Sequence, residues 1–215
     1  MSKVLNVKGK IKSFNKKIYI SGDKSLSIRF VLIASQATGK SKAYNLLMSE
    51  DVLAAIDSIK KLGIRVAINK DNCEIYGNGI NGFKYRKNLT LNAKNSGTLG
   101  RLMLGLLIKS PQKIKLIGDK SLSKRDFSRV TVPLEKFGAK FYYKTKNKLP
   151  LSILGSQSVK NIKYYENKGS AQCKSSVMLA AINALGTTFI KARKSRNHTE
   201  LLFRYLQIPI KVKKT

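Results

Sequence analysis

The sequence predicts an α/β protein built from about three copies of a βαβαββ unit. Three observations carry that prediction. Ser25, Ser96 and Ser170 each open an apolar, helix-forming run, at separations of 71 and 74 residues. A short strand candidate follows each run. A polar cap and a second, amphipathic helix then follow each strand.

The first helices have their apolar bodies at Leu32 to Ala34, Leu102 to Leu107 and Val177 to Leu185. The strands after them are placed around Lys42 to Asn45, Ile114 to Ile117 and Thr187 to Ile190, where short runs are bounded by turn-forming residues. The second helices start at Ser49-Glu50-Asp51, at Ser123 to Asp126 and at Ser195 to Thr199. Their buried stripes are Val52, Ile56 and Ile59; Phe127, Val130, Leu134 and Phe137; Leu202 and Tyr205. Lys61-Leu62-Gly63 and Lys136-Phe137-Gly138 are helix stops, a glycine after a cationic last turn. The third copy has Tyr205-Leu206-Gln207 there and lacks the glycine. Alternating strands close the first two units: Ile64 to Ile68, Cys73 to Tyr76, Phe141 to Tyr143 and Leu151 to Leu154. The last copy is expected to be incomplete, ending soon after its second helix.

Composition bounds the function. At 215 residues, 42% apolar and 8% aromatic, the chain can bury a sizeable core. No Pro-rich or low-complexity stretch divides it. Residues 1–20 lack the uninterrupted apolar segment of a signal peptide, and Leu102 to Ile108 is too short to span a bilayer. Cys73 and Cys173 show no CxxC or CxxH spacing, so two free thiols in a reducing cytoplasm are expected. His198, the single histidine, has no Cys or carboxylate spaced to share a metal, so no metal site is expected.

The formal charge of +32 points, taken alone, to a basic, non-specific nucleic-acid-binding protein. The cations are mostly lysine, with nine arginines, and they are scattered through every segment. Specific nucleic-acid sites draw on arginine for bidentate contacts, so the bias reads as compositional. No specific nucleic acid and no membrane are expected as partners.

Two phrases are sharper: Ser21-Gly22-Asp23-Lys24-Ser25-Leu26-Ser27-Ile28-Arg29 and Asn95-Ser96-Gly97-Thr98-Leu99-Gly100-Arg101. Each sets small residues ahead of an apolar helix and a cation one turn further in. Free N–H groups at a helix start attract anions, and the cation strengthens that attraction. Gly169-Ser170-Ala171-Gln172 is a third such start. Together they point to a site for a multiply anionic small molecule.

These phrases resemble the 5-enolpyruvylshikimate-3-phosphate synthase family. The likeness runs through Gly22-Asp23-Lys24-Ser25-x-Ser27-x-Arg29, Asn45-Leu46-Leu47-x-Ser49-Glu50-Asp51 and Asn95-Ser96-Gly97-Thr98-x-x-Arg101. It continues in Gly118-Asp119-x-Ser121-Leu122-x-x-Arg125-x-x-x-Arg129, Ser170-Ala171-Gln172-x-Lys174-Ser175 and Ser195-Arg196-x-His198-Thr199-Glu200. Six phrases in order are far more specific than any one of them. The resemblance implies the enolpyruvyl transferase fold, an inverse α/β barrel-like arrangement with three βαβαββ units per domain. Residues 1–20 would be the first strand region of a split first domain, and 21–215 a second domain whose last unit is incomplete. The related transferases acting on a UDP-amino sugar fit less well, because the Ser-Ala-Gln and Ser-Arg-x-His-Thr phrases belong to the shikimate branch.

By the same resemblance, the reaction transfers the enolpyruvyl group of phosphoenolpyruvate to the 5-hydroxyl of shikimate 3-phosphate, in aromatic amino acid biosynthesis, without metal or organic cofactor. Lys24, Ser25, Arg29, Ser170, Ala171, Gln172 and Arg196 would contact shikimate 3-phosphate. Lys24, Gly97, Thr98, Arg125 and Gln172 would contact phosphoenolpyruvate, where glyphosate competes, and Lys24 would be catalytic. A complete member is about twice this length. The family's proton-transfer carboxylates would then lie in a second half, expected as a separate C-terminal partner without which the chain is inactive.

Departures from the family pattern sharpen the expectations. Asp126 stands where a proline is usual and sets a carboxylate beside Arg125. Pointing inward, it would weaken anion binding. Gly39-Lys40-Ser41 matches the end of a P-loop but lacks the strand before and the helix after, so it reads as a turn. Ser25 and Ser170 lack a His–acid pair and read as hydrogen-bond donors, not nucleophiles. His198 reads as support for a helix cap, and Lys174 as a solvated residue.

Overall fold

The computed structural model describes residues 15–213 together with 6, 9 and 13. The first unit holds α1 (Lys24–Ala34), β1 (Thr38–Ala43), α2 (Glu50–Lys61), β2 (Arg65–Asn69) and β3 (Asn72–Asn78). The second holds β4 (Thr90–Asn92), α3 (Gly97–Leu106), β5 (Ile114–Ile117), α4 (Lys120–Ser123), α5 (Ser128–Lys136), β6 (Lys140–Tyr143) and β7 (Leu151–Leu154). The third holds β8 (Lys163–Glu166), α6 (Ala171–Ala181), β9 (Phe189–Ala192) and α7 (His198–Tyr205).

Each unit has its own sheet, and the three sheets are fragments of one pattern. The second is the fullest, in the order β4-β5-β7-β6. Its β4 and β5 are parallel, while β7 runs antiparallel to both β5 and β6. The first unit repeats the antiparallel part as β1-β3-β2, and the third repeats the parallel part as β8-β9. Among the described residues only the second unit is a whole βαβαββ. The strand expected in residues 1–20 falls largely on residues outside those described, and residues 15–20 belong to no strand.

The core sits where α1, α3 and α6 pack together. In α3, Leu99, Leu102, Met103, Leu104 and Leu106 are all buried, and α6 is buried from Cys173 through Ala180. Each such leucine contributes about 1.5–3 kcal/mol by leaving water. The two helices approach closely because Gly105 lacks a side chain: a Cβ there would lie 2.2 Å from the Ser176 carbonyl oxygen.

Several boundaries differ from the sequence expectation. The N-cap of α1 is Asp23 in place of Ser25; its Oδ1 accepts from the Leu26 N–H at 2.7 Å. With Ser96 and Ser170 capping α3 and α6, the true repeat spacing is 73 and 74 residues. The strand expected at Lys42 to Asn45 is β1, which starts at Thr38 and ends before Asn45, whose φ is +55°. Gly39-Lys40-Ser41 therefore lies in a strand, neither a turn nor a P-loop, and Lys40 and Lys42 face Glu74 at 3.8 and 2.9 Å. The third apolar helix stops at Ala181, short of Leu185, which is 87% exposed beside the turn at Gly186 (φ +80°).

Candidate anion-binding site

The starts of α3 and α6 are joined by side chains. Ser96 Oγ accepts from the Leu99 N–H at 3.2 Å, and Ser170 Oγ accepts from the Cys173 N–H at 3.3 Å. These caps leave the N–H groups of Gly97, Thr98, Ala171 and Gln172 without intrahelical partners, as at any helix start. The Gln172 amide bridges the two helices. Its Nε2 donates to Thr98 Oγ1 at 3.0 Å, and its Oε1 accepts from Arg101 Nη1 at 2.8 Å. Arg101 also donates to the Gly97 carbonyl at 3.3 Å, with its guanidinium 5.2 Å from the Phe127 ring centre. Burial lowers the pKa of Arg101 from the ordinary arginine value.

A second cation borders the same helix start. A Cβ on Gly97 would lie 2.7 Å from Arg101 Nη1 and 3.1 Å from Arg125 Nη1, so both guanidinium groups reach the glycine. Arg125 is exposed, and among the described residues no hydrogen bond or ion pair holds its side chain. Asp126 turns to the start of α5, accepting from the Ser128 N–H at 2.8 Å and the Ser128 hydroxyl at 2.7 Å. Although burial opposes it, these bonds hold the Asp126 carboxyl below the usual carboxylate range.

Around α1 the arrangement is different. Lys24 Nζ sits 3.0 Å from Asp51 Oδ2, on the first turn of α2, so an incoming anion competes with a carboxylate for it. Ser25 is half-buried, and its carbonyl accepts from Arg29 Nη1 at 3.0 Å. Arg29 is 4% exposed and is committed to protein partners: Nε donates to Thr199 Oγ1 at 2.8 Å and Nη2 to Ser175 Oγ at 3.1 Å. Burial also lowers its pKa, with the Glu200 charge opposing. Arg196 is exposed, and no hydrogen bond or ion pair holds it among the described residues. A groove of about 430 Å³ lined by Glu50, Asp57, Lys61, Asn92 and Lys94 contains none of these residues.

Thus Gly97, Thr98, Arg125 and Gln172 share one locus where α3 meets α6, with Ser170 and Ala171 at its edge. Arg29 links α1 to α6 and α7. Lys24 stands beside α2. Sequence reasoning omitted Arg101 from the site residues, although its position four residues after Gly97 was the available signal. It also missed Ser175, Thr199 and Ser195, the last carrying a buried hydroxyl oxygen with no partner among the described residues. Lys174, expected to be solvated, is buried and paired with Glu200 between α6 and α7. His198 makes no cap bond: Asn197 is the N-cap of α7, and the His198 Nδ1 is buried without a partner among the described residues.

Among the described residues no group of three or more His, Cys, Asp or Glu side chains is placed to share a metal. No described helix is long and apolar enough to cross a membrane.

Comparison with known proteins bears on the same residues. A sequence model of EPSP synthase (3-phosphoshikimate 1-carboxyvinyltransferase) matches residues 8–215. The 3-phosphoshikimate 1-carboxyvinyltransferase of Streptococcus mutans is 41% identical over 183 residues, 84% of this chain and 43% of the relative. That of Bacillus subtilis is 40% identical over 193 residues, 89% of this chain and 45% of the relative. The solved EPSP synthase of Acinetobacter baumannii superposes with a TM-score of 0.87 at 33% identity, covering 92% of this chain and 45% of that one. The chain thus spans somewhat under half the length of the relatives it matches. With the motifs, the repeated units and these likenesses in agreement, the chain belongs to the EPSP synthase family.

Proposed function

We propose that this chain is the shikimate 3-phosphate-binding part of an enolpyruvyl transferase, and that it works with a second part supplying the other domain. The observation that carries the reading is the bridge from Arg101 through Gln172 to Thr98. It holds two helix starts side by side, with Arg125 next to them. Free N–H groups and guanidinium groups converge there on a space suited to phosphate and carboxylate. In the reaction, the 5-hydroxyl oxygen of shikimate 3-phosphate loses its proton and bonds to C2 of phosphoenolpyruvate while C3 gains a proton, giving a tetrahedral intermediate. The C2–O bond to phosphate then breaks and the C3 methyl loses a proton, which restores the double bond. Lys24, Ser25, Arg29, Ser170, Ala171, Gln172 and Arg196 serve shikimate 3-phosphate in this reading. Gly97, Thr98 and Arg125 serve phosphoenolpyruvate, with Lys24 and Gln172 shared.

The groups present bind and orient anions, which alone accelerates little without acids and bases acting on the transition state. The reading therefore separates binding from turnover. Titration calorimetry of the chain with shikimate 3-phosphate and with plain shikimate tests the binding. Heat from the phosphate ester and none from shikimate is expected; equal or absent heats would sink the reading.

A further inference from the structure

We infer that Glu166 is a positioning residue for the turn that carries Ser170 into α6, acting through the main chain and not by touching the ligand. The inference rests on the functional reading above, since it concerns the Ser170–Gln172 edge of that site.

Glu166 is the last residue of β8 and is only 3% exposed. Its backbone is fixed by pairing with Ala192 of β9 and by the Arg193 N–H, which donates to its carbonyl at 3.0 Å. Its carboxylate bonds the turn that follows. Oε1 accepts from the Lys168 N–H at 3.0 Å, and Oε2 accepts from the Ser170 N–H at 2.9 Å. The chain has 43 basic and 11 acidic residues, yet Glu166 takes part in none of the ion pairs among the described residues. A buried carboxylate without a cation is retained only where hydrogen bonds satisfy it. Here both oxygens are satisfied by main-chain donors two residues apart.

Two such donors reach one carboxylate only if the chain between them turns back, and Gly169 between them has φ +68°. With the Ser170 N–H held, Ser170 Oγ is directed to the Cys173 N–H, and the next residues present their N–H groups outward. Gln172 then reaches Thr98 and Arg101. The rigid end of β8 is in this way transmitted to the start of α6.

The sign of the effect separates positioning from simple charge. A carboxylate near an anion site repels the anion, so removing its charge alone would tighten binding. Positioning requires the opposite. Glu166→Gln keeps the shape but leaves one acceptor and sets an NH2 group against a main-chain N–H. In the full chain, Glu166→Gln is expected to weaken shikimate 3-phosphate about tenfold by calorimetry, the loss of one charge-assisted bond. The Ser170 and Lys168 amide protons are expected to be slow to exchange and shifted downfield by NMR in the wild type, and to lose both properties in the variant. Gly169→Ala, which strains the same turn and keeps the charge, is expected to weaken binding in the same direction. Unchanged or tighter binding by Glu166→Gln would overturn the inference. If the wild type gives no heat with shikimate 3-phosphate, the functional reading fails and the amides alone decide: lost Ser170 protection in Glu166→Gln supports the inference, unchanged protection overturns it. If Glu166→Gln does not fold, fast exchange of the Ser170 amide in the folded wild type overturns it, and slow exchange with weakened binding by Gly169→Ala supports it.

Discussion

Arg29 stands in the middle of a recognisable phrase, yet its partners lie 146 and 170 residues away. Its planar guanidinium satisfies three acceptors at once, on α1, α6 and α7. A lysine offers a single point charge on a flexible stem and cannot hold that geometry. Arg29→Lys is expected to cost about 1–3 kcal/mol, the range for breaking buried charge-assisted bonds. Urea denaturation measures it, and an unchanged midpoint would show that the three bonds contribute nothing net. The sequence made the residue visible through its spacing from Gly22 and Lys24. It could not show that the side chain serves the packing of three helices, because Ser175 and Thr199 meet it only after folding. Arg101 is the converse case: it stands within the second phrase, but its bond to Gln172 depends on α3 lying against α6.

The helices were legible because their signals are local. A cap, an apolar period and a stop occur within a dozen residues of one another, and α2 follows them closely. By contrast, α5 starts at Ser128 with Phe127 as its N-cap, because Lys120–Ser123 form the separate α4. In α7, Tyr205, expected in the buried stripe, is 83% exposed. The stops are instructive. Gly63 and Gly138 adopt φ of +85° and +104°, and Gln207, at the matching place in the third unit, adopts +57° without being glycine. The left-handed turn is therefore kept where its usual residue is missing, at a steric cost to the glutamine. Gln207→Gly is expected to raise stability by about 0.5–1 kcal/mol, the relief of that strain less the added chain entropy. Thermal unfolding measures the change, and a lower melting temperature would mean that the glutamine side chain contributes packing that outweighs it. Strand ends were less legible. Gly39-Lys40-Ser41, which reads as a turn, lies in β1 because its pairing with Gly77, Tyr76 and Ile75 overrides local preference.

At the scale of the molecule, two quantities bear on activity: the charge of +32 and a match that spans somewhat under half the length of the relatives. Cations that converge at a site repel one another until an anion or a complementary surface offsets them. The expected outcome is no phosphate release from phosphoenolpyruvate and shikimate 3-phosphate by the chain alone, and release when the remaining part of a homologous enzyme is added. Turnover by the chain alone would move the catalytic roles onto residues present here, with Lys24 and its partner Asp51 the first to substitute. The sequence by itself determined the α/β class, the repeated unit and the three helix starts, since periodicity and capping act over a few residues. Only the tertiary structure decided that Gln172 joins Thr98 and Arg101, that Arg29 and Lys174 are buried against α7, that Asp126 accepts from Ser128 at the start of α5, and that Glu166 holds the Ser170 turn. Those contacts join residues whose approach is set by helix packing and sheet pairing, and hydrogen bonds act over about 3 Å, a proximity that separation along the chain does not encode.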